Sequence, residues 1–245
     1  MSYINTFDII HYLLQNQKPD SKKLLAEVDR DTVYRALNNS KDGVPRPFLF
    51  TNKPIEEKNL SKMKRRDKKH LFSVYEYYRT DPEKALPQFQ KLNEKYPNVP
   101  CIYNYLYMTY LLLKQEEQLW KVLIETRRRF PDYLFGKISL AEYYLSHNDH
   151  RKVPEIFDRK FEIYQHYSAD KDIFHISEVR SFYSVVGSYF ARAGKTARAI
   201  YCYFITEQAD PEHPVVRLLG DEIIHMEVIK VKNSLAKKIR RKPEN

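Results

Sequence analysis

Two short clusters in this 245-residue chain carry residue types that do chemistry. Gly194-Lys195-Thr196 is the closing part of a phosphate-binding loop, in which backbone N–H groups and a lysine cradle a nucleotide's phosphates. The complete motif needs another glycine five residues before Gly194, where Tyr189 stands, and an apolar strand ahead of it. With neither present, the trio reads as a turn between helices. His147 and His150 form an H-x-x-H with Asp149 between them, and imidazole and carboxylate are ordinary zinc ligands. No third ligand and no cysteine partner accompanies them, so a polar turn is expected and no metal. Neither a zinc-ribbon cysteine set, an HExxH nor a nucleophile elbow occurs, and Ser, His and Asp show no triad-like spacing. Cys101 and Cys202 are the only cysteines and both lie in apolar text, which predicts buried thiols in a reducing compartment. These residues together predict a cytoplasmic protein that is not an enzyme and has no cofactor.

Charge is the next chemical feature. The chain carries a formal net charge of +10. Residues 53–70 hold eight Lys/Arg against Glu56, Glu57 and Asp67, and residues 230–242 hold seven Lys/Arg and no acid. The remainder is close to neutral, so the basicity sits in two segments. Such segments can serve nucleic acid or an acidic protein surface, or stand as solvated helix faces.

The elements that must position these residues are helical. There are only 5 glycines but 20 tyrosines, and few positive-φ residues means few tight hairpins. The longest apolar run, around Tyr105 to Leu113, is too short to span a bilayer. The N-terminus shows no secretory pattern of a basic segment, an apolar stretch and a small-residue cleavage site.

A period organises the middle of the chain. Pro97 and Pro131 lie 34 residues apart, each after a helical stretch ending in an aromatic residue. Aligning on them gives units starting near Arg66, Pro100 and Leu134, with a fourth near Arg180 that ends at Pro211. The second unit carries Tyr103, Leu106, Tyr107 and Tyr110, then Leu119, Leu123 and Thr126. The fourth carries Tyr183, Val186, Gly187 and Phe190, then Gly194, Ala199, Tyr203 and Thr206. The first has Phe72, then Asp81-Pro82 as cap and first turn, Ala85, Phe89 and Leu92; the third keeps Leu140, Ala141, Tyr144, Val153 and Phe157.

These spacings resemble the W-x2-L-G-x2-Y pattern of the tetratricopeptide-repeat family, in degenerate form, over about residues 66–214. The resemblance implies an all-α fold, a right-handed α-solenoid of helix-turn-helix repeats. Residues 1–65 would form an N-terminal helical extension and basic linker, and residues 215–245 a C-terminal capping helix and basic tail, since an exposed repeat face needs a cap. Between the third and fourth units lie 12 residues more than the period, including Phe161 to Tyr167. They predict that the third unit's second helix runs on by about two turns, then a loop near Ala169 to Asp172. Helical spacing also covers residues 6–17 and 21–38, with Pro19-Asp20 as the break. Residues 39–54, with Gly43, Pro45, Pro47 and Pro54, predict an extended connection, and a long helix is expected from near Ile55.

The resemblance also implies where function sits, because in this family the first helix of each unit lines a concave face. Its residues here would be Tyr77, Tyr78, Asn104, Tyr105, Met108, Phe135, Ile138, Glu142, Ser184 and Ser188. Aromatic and methionine side chains adapt well to a partner. The family's clamp for chaperone tails needs Lys and Asn at set inner positions, and this chain offers His70, Val74 and Tyr105 there. The leading expectation is a scaffold that holds a peptide or helix of another protein. The alternative is nucleic-acid binding through Lys62, Lys64, Arg65, Arg66, Lys68 and Lys69 with Lys237, Lys238, Arg240 and Arg241. Against the alternative, the aromatics do not interleave with these basic residues as stacking platforms would.

Overall fold

The computed structural model describes residues 3–38, 45–53 and 59–240. Over these the chain is mainly helical. Helices α1 (Thr6–Leu14), α2 (Ser21–Ala26) and α3 (Arg30–Asn38) precede strand β1 (Leu49–Thr51). Then come α4 (Arg65–Tyr77), α5 (Pro82–Lys95), α6 (Pro100–Leu112), α7 (Glu116–Arg129) and α8 (Leu134–Ser146). A short α9 (Val153–Ile156), strand β2 (Ile173–His175), α10 (Ile176–Arg192), α11 (Thr196–Ala209) and α12 (Pro214–Arg240) complete the chain. The all-α class expected from composition holds. Among the described residues no helix is long and apolar enough to cross a membrane.

The chain divides into two compact units, residues 52–147 and a second built from residues 1–51 with 148–245. In the first, α4 to α8 form successive helix hairpins. Helix α8 begins 34 residues after α6, and α7 begins 34 after α5. Asp81 caps α5 by accepting from the Lys84 N–H at 3.1 Å, and Pro82 and Pro100 open their helices where a backbone N–H is dispensable. Helix α6 ends at Leu112, and Lys114 beyond its cap takes a left-handed φ of 56° that lets the Gln115 N–H reach the Tyr110 carbonyl at 3.0 Å. Leu71, Val74, Phe89, Ile102, Leu106, Leu119, Leu123 and Leu134 fill the spaces between helices.

The second unit is built around the α10/α11 hairpin. Gly187 lets α10 approach closely, since a Cβ there would stand 2.9 Å from the Cys202 Cβ and 3.0 Å from Leu219 of α12. Helix α12 packs on both α10 and α11, α2 packs on α12, and α3 on α11. Lys18 and Ser21 both bond Asp221, at 2.9 and 2.5 Å. Cys101 and Cys202 are buried free thiols, one in each unit.

Several expectations are corrected. The apolar stretch 21–38 is two helices rather than one, because Asp29 accepts from the Asp31 N–H and the Thr32 hydroxyl and starts a new helix. The first repeat's opening helix starts at Arg65, after a 3-10 turn at Leu60–Lys62; Ile55 itself lies outside the described residues, as do Gly43 and Pro54 of the connection. The third unit's second helix does not run on. It is a single turn, closed by left-handed φ values of 53° at Asp158 and 57° at Arg159. The text that follows forms a 3-10 turn at Ile163–His166, a turn at 169–170 and then β2, which pairs in parallel with β1. The connection at residues 49–51 is thus a strand, with Phe50 opposite Phe174. Helix α10 starts at Ile176 instead of near Arg180, because His175 and Glu178 form a capping box ahead of it.

Candidate interaction face

Helices α4, α6 and α8 carry the expected groove residues of the unit spanning 52–147. Tyr78 caps α4 and is buried; its hydroxyl accepts from Arg79 Nε at 2.8 Å and lies 3.7 Å from Met108 Sδ. Burial raises the Tyr78 hydroxyl above its ordinary pKa, with Arg79 opposing. Asn104 Nδ2 reaches the same sulfur at 3.7 Å and its Oδ1 accepts from Ser139 Oγ at 3.1 Å. The Tyr105 ring lies 4.9 Å from Tyr75 and 5.4 Å from Phe89. One turn along, the Tyr107 hydroxyl donates to Glu142 Oε2 at 3.5 Å. A continuous row therefore runs Tyr75, Tyr78, Tyr105, Met108, Asn104, Ser139.

Glu142 is the electrostatic feature of this face. Its side chain stays open to solvent, yet packed protein surrounds it, and desolvation pushes its carboxyl up to about 7 against the hydrogen bond from Tyr107. Burial also drives the Tyr107 hydroxyl well up, reinforced by Glu142 and then Glu116. Beside them His147 sits on Tyr143, ring centroids 4.2 Å apart, with its Nε2 3.3 Å from Glu116. Trp120 packs on Tyr143 and Tyr144 at 4.8 and 6.1 Å.

Other expected groove residues take different places. Ile138 is 2% exposed and packs between helices, so it offers no surface. Tyr77 is half-buried beneath Lys84, and Phe135 is half-buried near Tyr133. In the other unit Ser184 is buried and Ser188 donates to Glu222 of α12 at 2.5 Å. Helix α12 covers that face of α10.

No protein-family model, curated protein or solved structure matches the chain. The candidate site therefore rests on its own geometry.

The sequence clusters have structural employment. Gly194 takes φ 75°, and Lys230 of α12 bonds the Gly194 carbonyl and Thr196, so the phosphate-loop fragment is a turn tied to α12. The His147 Nδ1 is held by the Tyr143 carbonyl at 2.8 Å, while His150 opens a 3-10 turn. Among the described residues no group of three His, Cys, Asp or Glu could hold a metal. Of the basic residues, Lys62, Lys64, Arg65, Arg66 and Lys69 are exposed and Lys68 is half-buried. Asp67, the acid among them, turns inward; bonds from Lys95 and then Tyr96, both at 2.6 Å, hold its carboxyl below the usual range. Lys237 and Lys238 are exposed on α12, Arg240 is that helix's last residue, and Arg241 lies outside the described residues.

Sequence reasoning named Glu142 but missed Ser139, Tyr75 and Tyr107, the hydrogen-bond partner of Glu142, as parts of the face. The offsets from Asn104 to Ser139 and from Tyr107 to Glu142 are 35 residues, one more than the 34-residue period, so the period pointed close to both.

Proposed function

We propose that the chain is a non-catalytic cytoplasmic adaptor that holds a segment of another protein against α4, α6 and α8, in the manner of tetratricopeptide-like repeats. The 34-residue step between equivalent helices supports the repeat reading. The observation that carries the functional reading is the composition of the partly open residues in that row. Asn104, Tyr105 and Met108 stay partly open between fully buried neighbours, and aromatic and thioether side chains give large contact area with little rotamer loss. Glu142, open to solvent and faced by a tyrosine hydroxyl, suits a cation or N–H donor brought by the partner.

The test is capture from nuclease-treated lysate with the wild type and with Met108→Ala combined with Glu142→Lys. A protein retained by the wild type and lost by the double variant, at unchanged helical circular dichroism, supports the face. Equal retention by both proteins refutes it, and so does loss of every partner on nuclease treatment.

A further inference from the structure

The first three turns of α4 present a surface that the groove uses only at Tyr75, whose ring lies against Tyr78 and Tyr105. At about 3.6 residues per turn, Arg65, Lys68, Lys69, Phe72, Tyr75 and Glu76 fall within roughly 120° of the helix circumference. The buried residues Asp67, Leu71 and Val74 occupy the opposite side. Cations and aromatics that look separate along the sequence are thus interleaved on one face. Phe72 and Tyr75 are each 41% exposed, an uncommon position for two large rings on one short helix.

The charge is one-sided as well. From Asn59 to Tyr75 the chain has a single acid, Asp67, and that acid is spent inside on Lys95 and Tyr96. Lys64 precedes the helix without a side-chain cap, and the first turn carries Arg65 and Arg66 beside one acid, Asp67, which is paired with Lys95. Cations at a helix N-terminus oppose the macrodipole, so this arrangement weakens the helix. An anion seated there would reverse the penalty.

We propose that this outward face of α4 docks single-stranded nucleic acid, with phosphates on Arg65 and Lys69 and bases stacked on Phe72 and Tyr75. The combination decides the occupant. A basic track with aromatic platforms is the arrangement that grips a strand without reading its sequence, since every base has a face to stack and every nucleotide a phosphate. A duplex hides its base faces and leaves the rings unused. Glu76 marks the end of the strip, where a phosphate would be repelled. The strip goes beyond the groove reading and shares only Tyr75 with it; Asn104, Met108 and Glu142 take no part.

Fluorescence anisotropy of the full chain with a labelled oligouridylate of about fifteen nucleotides, over a salt series, tests the strip. The logarithm of affinity should fall linearly with the logarithm of salt, with a slope of about −1.4 to −2.8 for two to four phosphates. Arg65→Glu with Lys69→Glu should weaken binding by tenfold or more and flatten the slope. Phe72→Leu keeps the apolar bulk but removes the stacking face; it should weaken binding about tenfold with the slope unchanged. Absence of binding at low salt, or binding indifferent to both variants, overturns the proposal. Equal affinity for polyglutamate, or for the duplex form of the same length, overturns it too. None of these results bears on Met108 and Glu142, so the groove reading stands or falls separately.

Discussion

The first helices of the two units meet different fates. In residues 52–147, α6 and α8 leave Asn104, Tyr105, Met108 and Glu142 partly open. In the other unit α10 is sealed: Ser188 and Arg192 both bond Glu222 of α12, at 2.5 and 2.6 Å, and Gly187 brings Leu219 close. Similar helix-hairpin text thus yields either a surface or a core, depending on whether a further helix lies across it. The sealed unit invests its polar groups in itself.

The sharpest way to break this contrast lies in the sealed unit's interior. Glu162 is fully buried, bonded by Arg198 at 2.8 Å, Tyr183 at 2.8 Å and Tyr201 at 3.3 Å. Burial raises its carboxyl, opposed first by Tyr183 and then by Arg198. Truncating one partner strands the other's charge, so Glu162→Ala should cost about 3–5 kcal/mol in urea unfolding. Replacing both, as Glu162→Leu with Arg198→Met, should recover most of that loss. Met108→Ala on the open face should cost less than Glu162→Ala. If Glu162→Ala and Met108→Ala cost the same, the distinction between a sealed and an open unit fails.

Gly187→Ala probes the seal itself. The new methyl would press on the Cys202 Cβ and on Leu219, forcing α10, α11 and α12 apart. A loss of about 1–3 kcal/mol is expected, the usual cost of overpacking. A neutral thermal melt would mean that α12 is held more loosely on α10 than these distances imply.

How much was legible beforehand follows the range of the interactions. Helix starts at Pro82, Pro100 and Leu134 were readable because proline chemistry and the 34-residue period are local signals. The break after Ile156 was not. Phe161 to Tyr167 has helical apolar spacing, but Glu162 is drawn into an ion pair with Arg198, 36 residues on, and β1 reaches β2 across more than a hundred residues. Tertiary pairing of that kind overrides propensity. The basic residues were also visible and a helix over them was expected, but their relation to Phe72 and Tyr75 follows from which side of that helix is buried, at Asp67, Leu71 and Val74. Ile138 shows the converse: its repeat position predicted an exposed groove residue, and packing buried it.

The smallest effect sharpens the open side. Because the Glu142 carboxyl is held near about 7, against an ordinary value of about 4.3, the folded state binds its proton more tightly than the unfolded state. Its stabilising contribution is therefore complete below about pH 4 and declines as the pH rises to about 7. Glu142→Gln should match the wild type at pH 4 and exceed it at pH 8. A full conversion of the shift would overstate the gain because the side chain is open to solvent, so about 1 kcal/mol is expected. Urea melts at the two pH values measure the difference. If the glutamine variant is the less stable at pH 8, a cation of the chain itself already stabilises Glu142, and the face is not holding that charge for a partner.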